Sequence, residues 1–218
     1  MALTILITSG PTREYIDPVR FISNASSGKM GKAITEYALE KDCNVIVIKG
    51  PSVPIETSDK CKVIDVISTK DMLNAVKQNL KFADIFIGAA AVSDYRPVKI
   101  SKIKIKKDSD ILNLQLIKNP DIIKYVSEHK KNQIVIGFAL ESNKLLSYAK
   151  KKLKEKNLDM IVANDVSTIG SNKSMPCLLF KCGKQKKLKL SSKENIAKEI
   201  INESIRIFKN NNNCKKNN

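Results

Sequence analysis

The densest chemistry in this 218-residue chain lies between residues 23 and 31, SNASSGKMG. Small hydroxyl residues and glycines at the entrance of a helix leave backbone N–H groups unpaired and uncrowded, which suits an anion. Gly28 and Gly31 permit close backbone approach, Ser26 and Ser27 supply hydroxyl donors, and Lys29 adds a positive charge. The spacing is not that of a Walker loop, because Ser23 replaces the first glycine and Met30 follows Gly-Lys. Nor is it G-x-G-x-x-G, which is found nowhere between Ser9 and Gly31. Alone, the stretch is a serine-rich helix cap. Further along, Lys152 and Lys156 stand four apart on one helical face, where they could grip a polyphosphate or simply face water. Residues 97–110, rich in lysine, read either as a solvated edge or as a flap closing over an anionic ligand.

These residues need a scaffold, and the chain alternates strands and helices. Residues 3–8 form a continuous apolar run suited to a buried parallel strand, and residues 29–41 carry Met30, Ile34 and Ala38 near helical spacing. Strands follow at 43–48 and 61–67, then a helix from Ser68 or Thr69 to about Leu80, opened by Asp71, and a strand at 84–91. This succession argues an α/β fold: an open, mostly parallel sheet with helices on both faces and right-handed crossovers. Ligands in such sheets bind beyond the carboxyl ends of the strands, which places residues 9–24 and 88–96 beside one crevice. Beyond the lysine-rich segment come a strand at 111–117, a helix starting at Asn119-Pro120-Asp121, a strand at 133–138, a helix at 142–156 and a strand at 160–163 closed by residues 164–167. A hairpin around Gly183, spanning 177–190, and a helix at 192–208 complete one domain over residues 1–209. Residues 210–218, NNNNCKKNN, read as a disordered polar tail.

Composition narrows the classes. No apolar run approaches the ~20 residues of a membrane span, and no leader pattern is visible, so a cytoplasmic protein without a membrane is expected. Five cysteines without C-x-x-C spacing suggest reduced thiols and no zinc site. A single histidine, His129, leaves almost no material for a Ser-His-Asp or His-metal mechanism. The net charge of +17 is scattered lysine with only 5% aromatics, so base-stacking platforms are missing and no specific nucleic acid is expected.

Taken together, ITSGPTREYIDPVRFISNASSGKMG, GAAAVSDYRP, KIKK, KNPDII, IGFALESN and NLDMIVANDVS resemble phosphopantothenoylcysteine synthetase, in that family's motif order, from about residue 5 to residue 208. The resemblance implies a Rossmann-like sheet with a dimerisation element and a site completed near a homodimer interface, for which the 177–190 hairpin is the candidate edge. It implies a ligase that joins 4′-phosphopantothenate to L-cysteine through an acyl-cytidylate. CTP is consumed, pyrophosphate and CMP are released, and Mg2+ assists. It also implies a functional link to a flavin-dependent phosphopantothenoylcysteine decarboxylase, on a separate or a fused chain. By the same resemblance Asn24 serves the second half-reaction and Lys104 is the flap lysine acting on the α-phosphate. Gly88, Ala89, Ala90 and Asp94 hold the nucleotide, with Pro120, Asp121, Ile122 and Ile123 of the KNPDI turn, Phe138, Lys152 and Lys156. Ser26, Ser27 and Gly28 fall to the phosphopantothenate side. The KNPDI and GFA motifs favour CTP over ATP.

Two rivals come from other classes. An NAD(P)-binding oxidoreductase is supported only by the sheet pattern and lacks both G-x-G-x-x-G and a suitably placed Tyr-x-x-x-Lys. A nonenzymatic nucleic-acid binder is supported only by the charge. Thermal stabilisation by CTP but not by NAD(P)H, without steeply salt-dependent DNA retention, separates the ligase from both.

Overall fold

The structure is a computed structural model that describes residues 2–107, 110–141, 145–165 and 173–216, the side chains of 141 and 213–216 excepted. In chain order the first half contains β1 (Thr4–Ser9), β2 (Arg13–Tyr15), β3 (Phe21–Ser23), α1 (Lys29–Glu40), β4 (Asn44–Lys49), β5 (Cys61–Asp65), α2 (Thr69–Asn79), β6 (Ile85–Gly88) and β7 (Tyr95–Pro97). The second half contains β8 (Leu116–Lys118), α3 (Ile122–His129), β9 (Ile134–Glu141), α4 (Leu145–Glu155), β10 (Met160–Asp165), β11 (Lys173–Ser174), β12 (Cys177–Phe180), β13 (Gln185–Lys187), β14 (Ser191–Ser192) and α5 (Lys193–Lys216).

The main sheet has the order β13-β12-β10-β9-β6-β1-β4-β5. The six strands from β10 to β5 are parallel, and the hairpin β12–β13 is added antiparallel to β10. Chain order along the parallel part runs 3-2-1-4-5-6, so the winding reverses between β1 and β6. Alternation within β1 shows why the sheet is covered twice. Ile5 and Ile7 join the core formed with Ala33, Ile34 and Ala38 of α1 and Ile196, Ile200 and Ile201 of α5. Leu6 points the other way, into the core formed with Met72 and Val76 of α2, Val126 of α3 and Ala149 of α4. Each such fully buried aliphatic side chain is worth about 1.5–3 kcal/mol in transfer from water.

Local signals set the helix starts. Ser68 and Asp71 form the reciprocal cap of α2: Asp71 N–H donates to Ser68 Oγ at 3.2 Å, and Ser68 N–H to Asp71 Oδ2 at 3.0 Å. At Gly31 a Cβ would fall 2.0 Å from Ser9 Oγ, so only glycine lets α1 lie this close to the end of β1.

Two expectations are corrected. The strand expected over residues 111–117 shrinks to β8, which among the described residues pairs with β7 alone; Ile111 and Leu112 are exposed. The expected disordered tail over 210–218 instead continues α5 as far as Lys216, because no proline or glycine follows Phe208 to stop the helix. The expected helix start at residue 142 and the closing residues 166–167 lie outside the described residues. Among the described residues no helix is long and apolar enough to cross a membrane. Cys43, Cys61, Cys177 and Cys182 are free thiols, and burial pushes the first three up in pKa; the side chain of Cys214 lies outside the described residues.

Candidate active site

The loops leaving β1 and β6 meet where the winding reverses. Pro11 and Ala91 form a parallel bridge, Ala91 N–H donates to Gly10 O at 2.9 Å, and Thr12 N–H to Ala91 O at 3.3 Å. Beneath them runs a buried polar network. The hydroxyls of Thr12 and Thr69 lie 3.0 Å apart, Ser93 N–H donates to Thr12 Oγ1 at 2.9 Å, and Thr69 N–H donates to Glu14 Oε1 at 2.9 Å. Asn119 closes it: Nδ2 donates to Ser93 O at 2.9 Å and to Thr69 Oγ1 at 3.2 Å, while its backbone N–H reaches Asp94 O at 2.7 Å. Four chain segments far apart in sequence are thereby fixed at the carboxyl edge of the sheet.

Asn24 follows β3 directly and is exposed, and its Nδ2 donates to Val92 O at 2.9 Å. One amide hydrogen is thus spent on holding the side chain against the 89–93 loop, and the second remains to donate. Past it, Ser26 Oγ accepts from Gly28 N–H at 3.3 Å, and Ser27 Oγ from Lys29 N–H at 3.5 Å. Gly28 caps α1 in the left-handed region at φ 75°, and α1 has neither a side-chain cap nor an acid in its first turn. The positive end of the helix is therefore not neutralised from within. Gly28 also has a packing reason, since a Cβ there would meet Ser52 at 2.5 Å.

The nucleotide-side residues expected from the sequence gather over β6 and β9. Asp121 caps α3 by accepting Lys124 N–H at 2.9 Å, and its other oxygen is paired with Lys156 Nζ. Burial pushes the Asp121 carboxyl up, but the Lys156 hydrogen bond, the Lys124 N–H and the nearby lysine charges outweigh it, and its pKa lies below the usual carboxylate range. Lys152 Nζ donates to Phe138 O at 2.8 Å, so α4 and the end of β9 are tied together. Ile122 is buried in the core, while Ile123 lies over Gly88, where a Cβ would stand 3.1 Å from its side chain. Ala89 and Ala90 are half-buried beside it, Asp94 and Pro120 are exposed, and Phe138 is half-buried against the core.

Lys104 is exposed on the long connection between β7 and β8. The neighbouring Ile105 is bound through its backbone to Asp17 and Arg20, in the turn that precedes β3 and Asn24. Sequence reasoning did not single out Thr12, Glu14, Asp17, Arg20, Thr69, Ser93 or Asn119. Apart from the Asp17–Arg20 pair, their partners lie tens of residues away, and all but Thr69 fall inside the quoted motifs, which hinted at importance but not at these contacts. Among the described residues no group of three or more His, Cys, Asp or Glu could hold a metal ion.

A doubly wound α/β sheet with polar loops gathered at its switch point and a lysine-bearing arm defines the class as a Rossmann-like α/β protein. The family model described as the DNA/pantothenate metabolism flavoprotein C-terminal domain matches residues 2–207, and the chain belongs to that family. The coenzyme A biosynthesis bifunctional protein CoaBC of Haemophilus influenzae is 46% identical over 207 residues, covering 93% of this chain and 51% of the relative. The chain thus spans about half the length of the curated relatives it matches. The crystal structure of the C-terminal domain of a CoaBC protein is similar at 38% identity and a TM-score of 0.82, over 95% of this chain and 96% of that one. The DNA/pantothenate metabolism flavoprotein from Streptococcus pneumoniae is similar at 30% identity and a TM-score of 0.84, over 95% of this chain and 100% of that one.

Proposed function

We propose that the chain is a phosphopantothenoylcysteine synthetase of coenzyme A biosynthesis, acting in the cytoplasm. It would join 4′-phosphopantothenate to L-cysteine at the expense of CTP. The observation that carries the reading is membership, over residues 2–207, of a family whose relatives are named for coenzyme A biosynthesis. The crevice supports it by combining an uncapped helix start, an amide and a cationic end on one sheet edge.

A carboxylate oxygen of phosphopantothenate attacks the α-phosphorus of CTP, the bond to the β-phosphate breaks, and pyrophosphate departs. The cysteine nitrogen then attacks the acyl carbonyl, the acyl–oxygen bond breaks, CMP leaves, and the ammonium proton passes to water. Neither step needs a protein nucleophile, which suits a chain with one histidine. The protein's part is charge and positioning. Lys104 brings an ammonium to the α-phosphate, Lys152 and Lys156 make the cationic wall, and Asn24 offers its remaining amide hydrogen to the acyl carbonyl. Ser26, Ser27 and the start of α1 receive the phosphopantothenate phosphate, Asp94 and residues 120–123 border the nucleotide, and Phe138 with Ala89 and Ala90 forms its apolar wall. A Mg2+ carried by the triphosphate would supply neutralisation of phosphate charge.

For the homodimer we propose the arm over 95–118 rather than the 177–190 hairpin. The hairpin's outer edge carries exposed Lys184, Gln185 and Lys187, and lysines blunt an edge. The arm exposes Val98, Ile100, Leu112, Leu114 and Leu116, and among the described residues β8 pairs with β7 alone, so a second copy can add to its other edge. The decarboxylase activity would reside outside this chain's length, in the half of its bifunctional relatives that it does not match. A pyrophosphate-release assay with phosphopantothenate, run with CTP or ATP and with or without cysteine, tests the reading. Release that needs phosphopantothenate and prefers CTP is expected, and no release with either nucleotide would sink it.

A further inference from the structure

We propose that the ion pair between buried Asp17 and half-exposed Arg20 is the positioning device for Lys104: it binds the backbone of Ile105 and so sets the flap lysine relative to Asn24. The turn over residues 16–20 joins β2 to β3, and Asp17 within it is 0% exposed. Its Oδ1 accepts the Val19 and Arg20 N–H groups at 2.9 Å each, which already closes the turn around Pro18. Its Oδ2 has other work. That oxygen accepts from Arg20 Nε at 2.9 Å and from Nη2, and also from Ile105 N–H at 3.2 Å, 88 residues away. Arg20 Nη2 then donates to Ile105 O at 2.9 Å.

One ion pair therefore satisfies both backbone groups of a single flap residue, as a neighbouring strand would. A second tie, Ser101 N–H to Ile16 O at 3.0 Å, lies four residues earlier and prevents the flap from swivelling about the first. Ile105, docked on the turn through its backbone, is half-buried, and Lys104 next to it is exposed. The requirement for arginine follows from geometry. A planar fork can engage a carboxylate through Nε and Nη2 and still spend a further Nη2 hydrogen on a carbonyl, which an ammonium on a flexible stem does far less rigidly. The Arg20 guanidinium holds the Asp17 carboxyl far below the usual carboxylate range against the upward push of burial, with the Val19, Arg20 and Ile105 N–H groups assisting. The latch thus stays charged at any working pH. From Arg20 the chain reaches Asn24 in four residues through β3, so one rigid turn indexes both groups of the reaction assigned above, on which this inference rests.

The test combines hydrogen exchange with single-turnover pyrophosphate release from CTP and phosphopantothenate, on the whole chain and on Asp17→Asn, Lys104→Gln and the double variant. Asp17→Asn should speed exchange of the Ile105 amide while strands β1 and β6 keep their protection. It should slow pyrophosphate release by about 100-fold, the scale of an ångström-level misplacement, with the KM for CTP little changed. The double variant should be no slower than Lys104→Gln alone, because the latch acts through that lysine. Should Asp17→Asn fail to fold, Ile105→Pro removes the donated N–H and leaves the ion pair in place; it should reproduce the rate loss and the same non-additivity. Full rate in either folded variant, or losses that simply multiply with Lys104→Gln, would overturn the latch. A wild-type chain that releases no pyrophosphate would instead overturn the assigned reaction, a distinguishable result.

Discussion

Replacing Asn119 by alanine removes the piece that joins four segments beneath the crevice. The side chain donates to Ser93 O and Thr69 Oγ1 and accepts from Arg96 Nη1 at 3.1 Å, with only 9% of the residue exposed. Ser93 O and Thr69 Oγ1 keep each other at 3.4 Å, Thr69 keeps Thr12, and Arg96 Nη1 keeps Lys118 O at 2.9 Å, so none of the three partners is stranded completely. At about 1 kcal/mol net per bond the expected loss is about 3 kcal/mol. For a domain of this length that corresponds to a fall in Tm of about 6–12 °C. Asn119→Asp preserves volume and the Arg96 contact but turns an acceptor towards Ser93 O, and at neutral pH it should lose at least as much. Denaturant unfolding with and without CTP measures both effects, and CTP stabilisation should shrink because Pro120 and Asp121 are set by this residue. A loss below about 1 kcal/mol for alanine, the ordinary surface range, would show that the network does not hold the crevice together.

Lys104→Gln should slow pyrophosphate release by about 100- to 1000-fold, whereas Lys102→Gln and Lys107→Gln leave it nearly unchanged; equal losses at all three would reduce the flap to a diffuse field. Asn24→Asp should still give a burst of about one equivalent of pyrophosphate per site but almost no final product, and a mutant that binds CTP without a burst would move Asn24 to the first step. The lowered pKa of Asp121 means that its pairing with Lys156 stabilises the fold fully above the ordinary carboxylate pKa of about 3.9, and that this is lost as pH falls through the lower folded value. The stability gap between wild type and Asp121→Asn, followed by denaturant titration, should be flat from neutral pH to about 5 and close in stronger acid; a gap that widens in acid contradicts the pairing. Sedimentation should find a dimer that Val98→Asp with Leu112→Asp converts to monomer, and a wild-type monomer with full activity would refute the arm interface.

What could be read from the sequence is what neighbours along the chain decide. The Ser68–Asp71 cap, the small residues at Gly28 and Gly31 and the common face of Lys152 and Lys156 all follow from spacings of three or four residues. What those lysines hold does not: Lys156 takes Asp121 and Lys152 takes a carbonyl of β9, partners chosen by the packing of α3 and α4 on β9. Asp17 beside Pro18 looks like an ordinary wet turn, yet it is buried and takes a hydrogen bond from residue 105 of the returning arm. Residues 111–115 have the alternation of a strand, but among the described residues the ladder begins only at Leu116, with Val98 N–H reaching Gln115 O just before it, so pattern alone overstates them.

The most direct measurement is rapid-quench analysis of the wild-type chain with CTP labelled in the α-phosphate, phosphopantothenate and no cysteine. The account predicts a phosphopantothenate-dependent burst of pyrophosphate matched by an equal amount of acyl-cytidylate, and CMP only once cysteine is added. CMP formed without cysteine at the rate of the burst, or pyrophosphate that waits for cysteine, would contradict it.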